Sequence, residues 1–263
     1  MLLLIEFLLG AIQFMAGAAL FSFLNAAAYR LPRGMKLVND HSACPQCGAR
    51  LTAPDLIPVV SWLALRGRCR HCGAKIPVRY LLMELTGGGL ALLCIARFGA
   101  SSAGLFGFSA PALLSLCFLG ILTAIALIDG ETQTIPDRLN LAVAVCGVLA
   151  LFFMPGVTPA ARLIGAACVS VPMFLLCLAV PGGFGGGDIK LMAAAGLFLG
   201  WKLTLLSAFL AILGGGAYGA YLLAAKKKAR RDHFAFGPFL CAGMVVALFL
   251  GEPILGWYLQ FFA

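Results

Sequence analysis

The chain has 263 residues, 62 % of them hydrophobic and 11 % charged, with a mean hydropathy of +1.01. A soluble domain carries about 25 % charged residues, so an ordinary cytosolic globule is excluded, and the wealth of apolar residues excludes disorder. The formal charge of +9 would suit nucleic acid, but the nineteen Lys and Arg sit between apolar stretches, where they act as topology signals and call for no nucleic-acid partner.

In chain order, the first apolar stretch covers residues 3–29. Glu6 is the only charge before Arg30, and no small-residue cleavage site leads into a soluble domain, so a retained helix is expected here rather than a signal peptide. Further stretches of spanning length follow at 80–99, 108–128, 139–155, 162–180 and 203–225, with shorter ones at 189–201 and 236–251. A span needs about 20 apolar residues, which makes 189–201 marginal. Nothing alternates as a membrane β-strand does, so the expected class is an all-α multi-pass membrane protein of about eight helices, seven if 189–201 falls short. With the N-terminus outside, segments 30–79, 129–138, 181–190 and 226–235 face the cytoplasm and hold sixteen of the nineteen Lys and Arg. Only Arg97, Arg162 and Lys202 then lie outside, which the positive-inside rule favours over the reverse. The run Lys226-Lys227-Lys228-Ala229-Arg230-Arg231 is read as an anchor of that topology, with contact to anionic membrane lipid as the alternative.

The long polar segment 30–79 contains Cys44-Pro45-Gln46-Cys47 and Cys69-Arg70-His71-Cys72, two C-x-x-C pairs with 21 residues between them. A glycine follows each pair (Gly48, Gly73), as the turn of a zinc knuckle requires, and four thiolates complete one tetrahedral Zn²⁺ site. A reducing compartment argues against two disulfides, and no βαβ pattern surrounds either pair to support a redox motif. So short a segment has little core, so the metal is expected to supply most of its folding free energy. His41 and His71 are rival ligands, read as solvated loop residues, and the scattered Cys94, Cys117, Cys146, Cys168, Cys177 and Cys241 as small buried hydrophobes. The domain division is therefore a first transmembrane helix at 1–29, a zinc-binding loop at 30–79 and a membrane domain at 80–263.

Only ten carboxylates exist. Asp129 closes the third span in Ile128-Asp129-Gly130-Glu131, and Asp188 opens a later one in Gly185-Gly186-Gly187-Asp188-Ile189-Lys190. The charge count puts both at the cytoplasmic edge of the bilayer, although it took no account of them. Ionisable groups there are costly unless paired, hydrated or functional. Two carboxylates brought together share a proton and can hold a water between an acid and a base, an arrangement that hydrolyses an amide without a covalent intermediate. The glycine run permits close backbone approach and positive φ. Each acid alone also fits a plainer role: Asp188 and Asp137 as N-caps, Asp129 as an interfacial acid that ends a helix. Pro136 suits the restart of a helix, Lys190 is a neighbour able to tune Asp188, and Gly214-Gly215-Gly216 falls mid-helix, where it serves close packing.

Several runs together resemble the bacterial type IV prepilin leader peptidase family. They are Ser22-Phe23-Leu24-Asn25 with Tyr29-Arg30-Leu31-Pro32; Asp55-Leu56-Ile57-Pro58 through Trp62; Arg66-Gly67-Arg68-Cys69-Arg70; Arg79-Tyr80 with Glu84-Leu85-Thr86-Gly87; Ile128-Asp129 with Ile135-Pro136-Asp137; the G-x-G-D run with Lys190; and Phe236-Gly237-Pro238-Phe239. The likeness spans nearly the whole chain in order, with Ala26-Ala27-Ala28 as a local departure. It implies a GxGD-type aspartic protease of the bacterial inner membrane that removes the basic leader of prepilins, or of type II secretion pseudopilins, after a glycine at the cytoplasmic face. Asp129 and Asp188, not Asp137, match the family's catalytic positions. The resemblance also implies N-methylation of the new N-terminus from S-adenosylmethionine, an activity associated with the cysteine loop and supported by no motif of its own. Alternatives from other classes are a small cation or proton transporter with a zinc-stabilised loop and a non-catalytic assembly factor. The oligomeric state is not indicated.

Overall fold

The structure, a computed structural model, describes residues 2–36, 42–99, 108–180, 184–225 and 234–261. Among them the backbone is almost wholly helical, as lipid demands of a chain that must satisfy its own N–H and C=O groups. The α-helices are α1 (Leu2–Arg30), α2 (Val60–Ala64), α3 (Val78–Phe98), α4 (Ala110–Thr132), α5 (Asp137–Phe153), α6 (Pro159–Cys168), α7 (Ser170–Ala179), α8 (Gly186–Leu199), α9 (Trp201–Ala224) and α10 (Gly237–Leu259). The described residues contain no sheet, only two isolated antiparallel bridges in the cysteine loop.

Six segments are long and apolar enough to cross a bilayer: α1, α3, α4, α6 with α7 (Pro159–Ala179), α9 and α10. The short stretch at 236–251 thus grows into a full span of 23 residues. The expected span at 162–180 starts at Pro159, capped by the Thr158 hydroxyl, and is broken at Val169 between α6 and α7. At 17 and 14 residues, α5 and α8 are the shortest of the expected eight. A rise of about 1.5 Å per residue gives them about 25 and 21 Å, against about 30 Å of hydrocarbon.

The chain divides into two compact units, Met1–Gly120 and Ile121–Ala263, and the boundary falls inside α4. In the first unit α1 packs along α3, with Ala18 and Phe21 fully buried. The two backbones approach so closely at Gly17 and Gly87 that neither has room for a Cβ, the small-residue packing that brings membrane helices together. Glu84 of α3 is buried between them: Ser22 Oγ of α1 donates to its Oε1 at 2.8 Å, and the Val59 N–H at the head of α2 donates to Oε2 at 2.7 Å. One carboxylate therefore ties both helices to the cysteine loop.

In the second unit α5 and α8 run parallel. Their N-terminal ends meet where Lys190 Nζ donates to Asp137 Oδ1 at 2.8 Å. Their C-terminal ends meet on Arg162, which is fully buried. Its guanidinium donates to the carbonyls of Leu197 and Phe198 at 3.0 and 2.6 Å and to that of Met154 at 2.8 Å. Arg162, counted above only as an external topology charge, is thus a cap on carbonyls that helix ends leave without partners. Short as it is, α8 reaches from the level of Asp137 to that of Arg162. On α9, Gly214 and Gly215 receive the rings of Phe239 and Phe236, as mid-helix packing predicts. Of the six scattered cysteines, Cys94, Cys146 and Cys241 are buried, whereas Cys117, Cys168 and Cys177 are half-buried.

Candidate active site

Two places concentrate chemistry. One lies wholly in the second unit, where Asp129 and Asp188 line a common cavity of about 270 Å³ with Gln133, Thr134, Ile135 and Gly185 to Gly187. Asp129 is 5 % exposed and sits one turn inside the end of α4, not at its last residue. The Gly237 N–H, at the start of α10, donates to its Oδ2 at 2.9 Å. That amide is one of the donors a helix N-terminus leaves without an internal partner, and the positive end of the α10 dipole faces the carboxylate. A Cβ at Gly237 would stand 2.7 Å from Asp129 Oδ2, so the hydrogen bond requires glycine.

Asp188 occupies the first turn of α8, three residues beyond the N-cap Gly185, so it is not the N-cap itself. Gly185 has φ −70°, so positive φ is not its use here. The run provides space instead: a Cβ on Gly187 would come 2.9 Å from Ile135 Cβ, and one on Gly185 would come 3.0 Å from Asp188 Oδ2. Gln133, in the turn after α4, takes φ +54°, an uncommon conformation for a side-chain-bearing residue, and lines the same cavity. Asn140, buried on α5, donates from Nδ2 to the Gly187 carbonyl at 3.3 Å and so braces the chain just before Asp188.

Two of the minor expectations are corrected. Lys190 pairs with Asp137, not with Asp188, because the side chains two residues apart on α8 point in different directions. Asp137 is the first residue of α5 with Pro136 as N-cap, and its ion pair with Lys190 is largely exposed. Neither Gly237 nor Asn140 stood out as a site residue. Gly237 appeared only within a family-like run, and Asn140 was not singled out at all.

The second place is the cysteine loop, in the first unit. Each knuckle has the same hydrogen bonds: Cys44 N–H to Ala49 O and Gly48 N–H to Cys44 O, then Cys69 N–H to Ala74 O and Gly73 N–H to Cys69 O, all between 2.8 and 3.0 Å. Gly48 and Gly73 both take φ +70°, where a side chain is strained. The four Sγ atoms lie within 4.8 Å of one another, and the Cys44 and Cys72 sulfurs are 3.9 Å apart. A disulfide needs about 2.05 Å, whereas a tetrahedral ion with bonds of about 2.3 Å sets its sulfurs about 3.8 Å apart. The donor set and its spacing therefore fit Zn²⁺. The backbone N–H groups of Cys47 and Gln46 lower the Cys44 thiol to about 6. For Cys72 the Ala74 N–H acts downward, but desolvation and the hydrogen bonds with Cys47, Cys69 and Cys44 outweigh it and push the thiol to about 11. A divalent cation removes this opposition by neutralising the thiolates together. His71 is exposed and outside the cluster, and His41 lies outside the described residues. Asp55 closes a capping box with Thr52, whose hydroxyl and N–H bond its Oδ2 at 2.7 and 3.1 Å, and accepts from Arg70 Nε at 2.8 Å, so its carboxyl falls to about 2.

Comparison with known proteins agrees with this layout. A family model described as Bacterial Peptidase A24 N-terminal domain matches residues 15–98, and one described as Type IV leader peptidase family matches residues 116–220. A protein of Burkholderia pseudomallei (strain 1026b) named prepilin leader peptidase/N-methyltransferase is 34 % identical over 275 residues, covering 92 % of this chain and 86 % of its own. Proteins of the same name from Bacillus subtilis (strain 168) and Pseudomonas aeruginosa are 32 % and 34 % identical, covering 95 % and 91 % of this chain and 98 % and 90 % of theirs. No solved structure matches.

Proposed function

The chain belongs to the type IV leader peptidase family, and from that premise we propose that it is a membrane aspartic endopeptidase acting on prepilins or pseudopilins, with Asp129 and Asp188 as its catalytic pair. The single observation that carries the assignment of residues is the cavity the two aspartates share. One carboxylate takes a proton from water as the water oxygen adds to the scissile carbonyl. The other, protonated, hydrogen-bonds the carbonyl oxygen, and its proton passes to the departing amine as the C–N bond breaks. The pair titrates together, so neither residue owns the acid or the base role. A Gly237 N–H on Asp129 and the Asn140 brace on Gly187 hold the two carboxyls in place.

The family resemblance implies a bacterial inner-membrane location, and the charge count supports a catalytic edge facing the cytoplasm, where a basic leader remains while its apolar helix stays in lipid. Cleavage after glycine follows from the family resemblance. Residues 30–79 then act as a cytoplasmic zinc loop held by Cys44, Cys47, Cys69 and Cys72, and 80–263 as the peptidase part. The same reading includes methyl transfer from S-adenosylmethionine to the new N-terminus, supported by the relatives' shared name and the intact cysteine module. Against a transporter stand the helix-end positions of Asp129 and Asp188, since coupling ions bind near the midplane. Purified protein incubated with a prepilin tests the assignment: a shortened product is expected, and an unaltered prepilin would refute it. Adding labelled S-adenosylmethionine reads the second activity separately.

A further inference from the structure

The cysteine loop carries an apolar patch for which the metal site has no use. Leu56, Ile57, Val60 and Leu63 are each between 42 and 57 % exposed. Val60 and Leu63 lie three residues apart and share one face of α2, while Leu56 and Ile57 precede a sharp turn. The turn centres on Val59, at φ +63° and ψ −52°, and is closed by the Val60 N–H donating to the Pro58 carbonyl at 2.6 Å. This is a γ-turn of the rare, strained hand. A β-branched residue keeps such a conformation only where its surroundings fix it, and here the Val59 N–H is held by Glu84 Oε2 at 2.7 Å.

That bond also sets the depth of the patch. Arg79 and Arg97 bracket α3 at about 27 Å along its axis, close to the thickness of hydrocarbon, and so mark its two boundaries. Glu84 lies about 8 Å inward from Arg79, and Ser22, which holds the same carboxylate, lies about 12 Å inward from Arg30 at the end of α1. Side chains lean toward the start of their helix, which brings the Glu84 carboxylate back toward the level of Arg79 but not beyond it. The exposed Tyr29 and Tyr80 mark that same level, as an aromatic belt does. The head of α2 therefore sits where headgroups meet acyl chains, and a side chain that protein leaves uncovered there meets lipid. Charge points the same way. Arg66 and Arg68 are exposed just beyond α2, and Asp55, the one acidic residue between 42 and 77, is bonded to Arg70. Arginines at this level suit anionic headgroups. They repel a second copy of the same surface, and they repel the basic leader of the proposed substrate. We infer that Leu56, Ile57, Val60 and Leu63 insert into the leaflet beside α1 and α3, with Arg66 and Arg68 on its anionic headgroups. The cysteine loop then lies on the membrane surface rather than standing free of it. The inference rests on α1 and α3 as spans and is independent of the peptidase assignment.

The test uses the full-length protein in nanodiscs of phosphatidylethanolamine and phosphatidylglycerol. A diazirine-bearing leucine analogue replaces Leu63, or Leu56, with little change of apolar volume, so the loop keeps its fold. Irradiation is expected to yield an adduct with the mass of one phospholipid. Adducts only with water, with a second copy of the chain or with an added prepilin would overturn the inference. The headgroup contact has its own readout. Proteolysis between residues 42 and 77 is expected to be at least about fivefold slower in these discs than in discs of phosphatidylcholine alone, the factor that the attraction of one basic residue gives. Leu56→Ser combined with Leu63→Ser should remove that difference at unchanged zinc content, which separates lost insertion from a disrupted metal site. Equal proteolysis of the unaltered protein in the two lipids would also overturn the inference.

Discussion

Asp129 is buried at 5 % exposure, and its carboxylate accepts a hydrogen bond from the Gly237 amide. A carboxylate so placed suits the proposed catalytic role better than a surface ion pair, unlike Asp137, whose partner Lys190 is itself mostly exposed. Asp129→Asn and Asp188→Asn are each expected to reduce leader cleavage by a factor of about 10² to 10⁴, the range for loss of a general acid or base. Asp137→Asn should retain most of it, because an exposed pair contributes about 0–1 kcal/mol. Initial rates of product formation on one prepilin check all three. Near-normal rates in both of the first two variants would remove the pair from the mechanism. Both aspartates could be singled out in the sequence because acids are so few here that each could be weighed in turn, but their proposed role came from the family resemblance. Gly237 was not, since a glycine before Pro238 reads as any helix start, and only a contact across 108 residues reveals what its amide does.

At the scale of an element, the cysteine loop shows how little regular structure is needed to gather four sulfurs. Two isolated bridges, two left-handed glycines and short helical turns bring the four sulfurs together, and the spacing of the two pairs was enough to foretell that. What spacing could not foretell is the anchorage. Glu84 read as a carboxylate within a span, yet it accepts from both Ser22 and Val59. Removing Glu84 by an alanine substitution leaves the Val59 N–H without its acceptor and frees the loop, so faster proteolysis between residues 42 and 77 is expected at unchanged zinc content. Proteolysis at the unaltered rate would show that the tie is dispensable. The thiols also set a pH dependence. Cys44 is lowered to about 6, so its thiolate is present above that pH and is lost as pH falls through it. Protons compete with the metal for all four thiolates, so zinc retention should fall as pH is lowered and return on neutralisation. Metal analysis after dialysis across pH 5 to 8 reads this directly, and full retention at pH 5 would contradict it.

For the whole molecule, α5 and α8 are shorter than the hydrocarbon thickness that the proposed topology would have them cross. Composition and basic-residue asymmetry made the all-α membrane class legible, but they left α8 doubtful because length was the only criterion. Tertiary ties add what length could not give: α8 shares its N-terminal end with α5 through Lys190 and Asp137, and its C-terminal carbonyls share Arg162 with that of Met154, so the two helices are matched end to end. Whatever face Asp137 occupies, Lys190 occupies too. Arg162→Leu would leave three carbonyls without their donor in a buried setting, at about 1–3 kcal/mol for each group. A loss of several kcal/mol in resistance to denaturant is therefore expected, with no change in zinc content. The same ties predict the order of faces along the chain. A fluorescent protein fused after Ala225 should fluoresce, because Lys226 to Arg231 then lies inside, whereas alkaline phosphatase fused at Gly156, between α5 and α6, should be active outside. Phosphatase activity after Ala225 would mean that α8 and α9 do not both cross. That result would reassign only the segments from α9 onward, because Asp129 and Asp188 both lie before the crossings in question.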